Sequence, residues 1–156
     1  MDTNHRILIV DDDDTIRKTL KAILEDEGYT VDLAATGQEA IQKTEENPYD
    51  IALLDIRLPD MEGVELLKLI KDNVPKTRKI MLTGYPSMQN AIAALNKDAD
   101  AYLVKPVDVE KLLSTIKDQL ELRENERHFS EEKIADFIES RVKEMSTTKP
   151  KKPQYY

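Results

Sequence analysis

Ile51-Ala52-Leu53-Leu54-Asp55-Ile56-Arg57-Leu58-Pro59-Asp60-Met61-Glu62-Gly63 is the stretch whose reading decides the fold. Four consecutive apolar residues bounded by turn-forming residues predict a strand buried on both faces, as inside a parallel sheet. Asp55 ends that strand, and the carboxyl ends of central parallel strands are where open α/β sheets bind ligands. Pro59 and Gly63 bracket a loop and a helix start, with Asp60 and Glu62 placed to favour that helix's positive end. An ordinary strand-to-helix turn would carry the same pattern, so the flanking chain has to decide.

Outward from this stretch, strand and helix patterns alternate. Ile7-Leu8-Ile9-Val10 is a wholly apolar first strand that stops at Asp11-Asp12-Asp13-Asp14. A helix is predicted over 15–27, an edge strand over 29–34 and a helix over 38–46, introduced by Thr36 and Gly37. After the central strand come a helix over 62–73, halted by Pro75, and a strand over 79–82 that ends at Thr83-Gly84. An alanine-rich helix over 87–96, a strand over 101–104 ending in Lys105-Pro106, and a helix from 109 to about 122 complete the series. Five strands alternating with five helices imply right-handed crossovers. The expected fold is α/β: a flavodoxin-like, doubly wound, five-stranded parallel sheet in the order 2-1-3-4-5, with a C-terminal helical extension.

Composition removes several classes of function. A chain of 156 residues accommodates one substantial core, expected over 1–121, and an appendage over 122–156. Its net charge of -8 argues against direct nucleic-acid binding, since a basic face is normally needed to neutralise phosphates. The absence of cysteine excludes disulfides and thiolate chemistry and fits a reducing cytoplasm. No apolar run approaches the roughly 20 residues that cross a bilayer, so no membrane role is expected.

The predicted topology brings Asp11, Asp12, Asp55, Thr83 and Lys105 to one sheet edge. Carboxylates held close repel one another unless a cation intervenes, and Mg²⁺ suits a few carboxylate oxygens together with water and phosphate. Lys105 and Thr83 would supply a positive charge and a hydroxyl donor to a phosphoryl group, with Asp55 as the attacking carboxylate.

Val10-Asp11-Asp12, Asp55-Ile56-Arg57-Leu58-Pro59 with Gly63, Thr83-Gly84, and Tyr102-Leu103-Val104-Lys105-Pro106 together resemble the receiver domain of two-component response regulators over about residues 5 to 121. The resemblance implies a regulatory phosphoacceptor, not an enzyme beyond self-phosphorylation and self-dephosphorylation, with a sensor histidine kinase donating to Asp55. It implies Mg²⁺ on Asp11, Asp12, Asp55 and the backbone carbonyl of Arg57. It also implies that Thr83 grips the phosphoryl group, Lys105 pairs with it, and Tyr102 rotates inward behind Thr83. The fourth helix, fifth strand and fifth helix would then change surface for a downstream protein target or a homodimer. A cis bond at Lys105-Pro106 belongs to the same pattern. Two departures stand out: Asp98 replaces the family's usual glycine, and the large residues Arg57 and Tyr85 flank the path of hydrolytic water, implying slow self-dephosphorylation.

An alternative reading starts from Asp11-Asp12-Asp13-Asp14-Thr15, which also resembles the first motif of haloacid-dehalogenase-type phosphohydrolases. There Asp11 would be the nucleophile and Asp13 the acid/base of an Mg²⁺-dependent phosphatase. That reading leaves Asp55 and Pro59 unexplained. In the receiver reading Asp14 is the expected cap of the first helix, with Asp13 exposed. His5 and His128 are expected at the surface.

Beyond the fifth helix, residues 119–127 extend it, and Ser130-Glu131-Glu132 resembles a fresh helix start. Ile134, Phe137, Ile138, Val142 and Met145 form one apolar stripe that an isolated helix would need to pack on something. Residues 147–156 read as a flexible basic end.

Overall fold

The computed structural model describes residues 4–70, 76–84 and 99–147. In chain order these form β1 (Arg6–Val10), α1 (Asp14–Asp26), β2 (Thr30–Ala34), α2 (Gly37–Glu46), β3 (Ile51–Asp55), α3 (Gly63–Leu69), β4 (Arg78–Thr83), β5 (Ala101–Val104) and α4 (Val109–Thr147). The helix expected over 87–96, Pro75, Tyr85, Asp98 and the basic end from 148 onward lie outside the described residues.

The five strands are parallel in the order β2-β1-β3-β4-β5, as the alternation predicts. Ile7 to Val10 pair with Ile51 to Leu54 on one side and with Val31 to Ala34 on the other. Asp55 stands opposite Leu82, and Thr83 opposite Val104. That register brings the carboxyl ends of β1, β3, β4 and β5 to one edge.

Side chains alternate between two cores because successive strand residues face opposite sides. Leu8, Val10, Leu54 and Met81 pack with Ala40, Leu66 and Leu67 of α2 and α3. Ile7, Ile9, Leu53, Ile80 and Leu82 pack with Leu20 and Leu24 of α1 and with Leu112 and Ile116 of α4. Covering both faces explains why β1 and β3 are continuously apolar.

Several local readings need correction. Asp13, not Asp14, caps α1: its carboxylate accepts the Ile16 N–H at 3.1 Å. Asp14 is the first helical residue, bound instead to Arg17 at 3.0 Å and Lys18 at 2.9 Å. Position decides the role, because only the residue just outside the helix can aim its side chain back at the free N–H groups. Asp60 serves α2 and not its own helix, accepting from Gly37 N at 2.8 Å and Gln38 N at 2.9 Å. Those two N–H groups hold its carboxyl below the usual carboxylate range. Asp60→Ala should therefore lower the urea midpoint with an unchanged slope. An unchanged midpoint would show that the cap contributes nothing.

α3 starts at Gly63 and ends at Leu69, and residues 71–73 of the expected 62–73 lie outside the described residues. Ile70 leaves the helix with extended backbone (φ -73, ψ 130) and sits in the core. The largest correction is at the carboxyl end, where α4 runs unbroken for 39 residues and passes Ser130 without a new start. Its span contains no glycine or proline, and a serine caps a helix only where the chain first departs from helical geometry. Polar contacts fasten its middle to the amino edge of the sheet. Arg123 meets Asp50 at 2.5 Å and donates to Lys76 O at 2.9 Å, while Arg78 bridges Asp100 at 3.2 Å and Glu126 at 3.6 Å. Among the described residues no helix is long and apolar enough to cross a membrane.

Candidate functional site

β1 leads directly into Asp11, whose backbone N–H donates to Ala34 O at 3.1 Å and so continues the ladder one residue past the strand. Its carboxylate is fully buried and held at both oxygens: Asp13 N–H donates to Oδ1 at 2.9 Å and Lys105 Nζ to Oδ2 at 2.9 Å. The Arg17 guanidinium reaches back from α1 to the Asp11 carbonyl at 2.7 Å. Asp12, next in the chain, is exposed.

Asp55 ends β3 and is also buried. The loop after it folds tightly. Gly63 N–H returns to Ile56 O at 2.8 Å, Leu58 N–H to Met61 O at 3.1 Å, and Arg57 pairs with Glu62 as an isolated bridge. This closure sets the first turn of α3 directly against the end of β3. It also draws the Arg57 N–H to 3.5 Å from Asp55 Oδ1.

Lys105 completes the arrangement from β5. Its backbone N–H donates to Thr83 O at 2.7 Å, and the Lys105-Pro106 bond is cis, as the sequence pattern implied. Its ammonium lies 2.9 Å from Asp11 Oδ2 and 3.3 Å from Asp55 Oδ1. One carboxylate oxygen each from Asp11, Asp12 and Asp55 lies within 4.8 Å of the others. Thr83 is fully buried at the end of β4. Tyr102 is half-buried on β5 beside Met81 of β4 and packs on the α2–α3 core.

The electrostatics follow from this crowding. Burial first, and then the charge of Asp11, push Asp55 above the ordinary carboxylate value, against the opposing pull of Lys105. For Lys105, burial works against the charge. The hydrogen bond to Asp11 and the charges of Asp55 and Asp11 outweigh it and hold the ammonium above its usual value. Three carboxylates around one ammonium leave a surplus of negative charge on oxygen ligands, a donor set suited to a hard divalent cation.

Five of the residues named from sequence, Asp11, Asp12, Asp55, Thr83 and Lys105, therefore come to one edge. Arg17 was not foreseen; its only sequence signal is its place one turn into the helix that follows the aspartate run. Asp13, the proposed acid of the phosphohydrolase alternative, is exposed and turns its carboxylate to the α1 backbone.

Comparison with known proteins agrees with this geometry. The family model for the response regulator receiver domain matches residues 7–117. The chain is 41% identical over 114 residues to the transcriptional regulatory protein ZraR of Klebsiella oxytoca, covering 73% of this chain and 26% of that protein. It is 36% identical over 115 residues to the response regulator ArlR of Staphylococcus saprophyticus, covering 74% of this chain and 52% of that one. It thus spans about a quarter to a half of the length of these relatives. A solved CheY-like receiver domain protein from Methanospirillum hungatei is 49% identical with a TM-score of 0.73, covering 80% of this chain and 99% of that one. These comparisons lend no support to a phosphohydrolase. With the sheet order, the acidic edge and the lysine that spans it, they establish that this chain belongs to the receiver domain family of two-component response regulators.

Proposed function

We propose that Asp55 is the phosphoryl acceptor of this receiver and that a sensor histidine kinase is its physiological donor. The observation that carries the reading is the Lys105 ammonium set between two buried carboxylates, at 2.9 Å from Asp11 and 3.3 Å from Asp55. A carboxylate oxygen of Asp55 attacks phosphorus and forms the new O–P bond. The P–N bond of the donor phosphohistidine breaks, its electron pair stays on the imidazole, and the imidazole takes a proton from solvent. The product is an acyl phosphate on Asp55.

Asp55 is suited to attack because it ends β3 beside the Lys105 ammonium and the carboxylates of Asp11 and Asp12, where a phosphoryl group can be held against it. Lys105 pairs with the carboxylates in the resting protein and transfers that pairing to the phosphoryl oxygens once they arrive. Thr83 donates its hydroxyl to the phosphoryl group. The carboxylates of Asp11, Asp12 and Asp55 with the Arg57 backbone carbonyl would hold Mg²⁺, which supplies positive charge against the phosphoryl oxygens. Movement at Thr83 reaches the partly buried Tyr102 through the adjoining ends of β4 and β5, altering the surface beside β5 and α4 for a protein partner. Cytoplasmic signalling by protein contact is the role this supports. Transcriptional regulation is in the name of ZraR, of which this chain covers 26%. With a net charge of -8 this stretch is not expected to bind nucleic acid directly.

Intact-mass spectrometry after incubation with Mg²⁺ and acetyl phosphate tests the reading. One labile phosphoryl adduct is expected on the wild type and none on Asp55→Asn. Retention of the adduct by Asp55→Asn with its loss in Asp11→Asn would refute the assignment.

A further inference from the structure

α4 buries one face in the receiver and then carries that same face out beyond it. Leu112 and Ile116 are buried in the core, and Leu120 packs against it. Ile134 and Ile138 lie roughly five full helical turns beyond Ile116 and Leu120, and Phe137 and Arg141 lie equally far beyond Gln119 and Arg123. The apolar stripe of the overhang is therefore the direct continuation of the core-facing side. Yet Ile134, Phe137, Ile138, Val142 and Met145 each expose more than half of their surface. Residues 131–145 are exposed throughout, so nothing among the described residues covers them.

From this helical phase we infer that the overhang is a self-association surface, and that its occupant is the same segment of a second copy of this chain running antiparallel. A parallel partner is sterically disfavoured. Five turns earlier, the face it would meet is pressed on the receiver's own sheet, so a parallel helix would run into the domain core. An antiparallel partner meets only the overhang, and its receiver lies past the opposite end of the pair.

Charge supports the same orientation. Lys133, Phe137 and Glu144 follow one flank of the stripe at helical spacing. Antiparallel pairing that sets Ile134 against Met145 of the second copy also brings Lys133 near its Glu144, and the two-fold axis makes that contact twice. The Arg141 guanidinium, which lies within the stripe, stacks over Phe137 at 5.4 Å in the same helix and so keeps its charge near the rim. Residues 130–147 give an overlap of about 27 Å, enough for a reversible pair.

The absence of cysteine makes the orientation directly measurable. Light scattering on the full chain at increasing concentration should show a monomer–dimer equilibrium. Ile138→Glu should raise its midpoint by at least ~10-fold while still accepting phosphate from acetyl phosphate, which shows that the receiver is folded. Under mild oxidation, an equimolar mixture of Ile134→Cys and Met145→Cys chains should form a mixed disulfide dimer well above what either variant forms alone. Efficient self-linking of Ile134→Cys would overturn the antiparallel arrangement. A wild type that stays monomeric up to about 1 mM, or an Ile138→Glu variant that dimerises as well as the wild type, would overturn the surface itself.

Discussion

Lys105→Met is expected to slow formation of the phosphoryl adduct by about 100-fold, the usual scale for removing one preorganised charge from a developing anion. Methionine keeps most of the stem volume, so the change isolates the ammonium. Without it, the fully buried Asp11 loses its 2.9 Å partner and Asp55 its 3.3 Å one, and the two carboxylates face each other. Breaking a buried ion pair from one side costs 3 kcal/mol or more when burial is complete. Because the Lys105 side chain keeps 21% of its surface in solvent, about 2 kcal/mol is expected here. The pH dependence has a definite sign. Burial and the Asp11 charge already raise the Asp55 pKa, and removing Lys105 raises it further. The penalty is therefore present above the carboxylate range and shrinks as pH falls and the acids take up protons. Adduct kinetics by mass spectrometry and urea unfolding at two pH values measure both effects. A variant phosphorylated at the wild-type rate would remove Lys105 from the chemistry.

Gly63→Val should be at least as damaging, for a reason of space and not of backbone conformation. A Cβ on Gly63 would sit 2.2 Å from the Asp55 carbonyl oxygen and 2.9 Å from both Ile56 Cα and Met81 Cε. Two of these obstacles are backbone and cannot swing aside. Any side chain must lift α3 off the end of β3 or push Asp55 out of the pocket. A loss of about 3 kcal/mol is expected, together with loss of the adduct. Gly28 supplies the contrast: its φ of +96 strains any L residue, but nothing lies within 4 Å. Gly28→Ala should cost only about 1 kcal/mol and leave phosphorylation intact. Equal unfolding midpoints for the two variants would contradict this division between clash and conformation.

What could be read from the sequence was what depends on spacing along one element. Each apolar run stops at a polar residue at the sheet edge, and that alone places Asp11, Asp55, Thr83 and Lys105 together once the strands are parallel. The alternation implies a parallel sheet, and the order 2-1-3-4-5 is the one expected of a flavodoxin-like doubly wound sheet. Contacts between elements were less legible. Local sequence places Asp60 at the start of its own helix, whereas folding sets it over the amino end of α2. The α1 cap falls on Asp13 and not on the neighbouring Asp14, because a run of four aspartates offers four equivalent candidates and only the backbone turn selects one. The fresh start expected at Ser130 failed because a capping residue cannot by itself interrupt a run of good helix formers. The clamp of Arg123 on Asp50 and of Arg78 on Glu126, which steers the emerging helix, joins residues too far apart in sequence to be paired by pattern.

The most direct test of the central claim is to locate the phosphoryl group chemically. The wild-type chain, treated with Mg²⁺ and acetyl phosphate, is quenched with borohydride, which reduces an acyl phosphate to the alcohol, and its peptides are then mapped by mass spectrometry. The account predicts reduction at Asp55 and at no other carboxylate. Reduction at Asp11, or a labile phosphoryl group on a histidine such as His5 or His128, would contradict it.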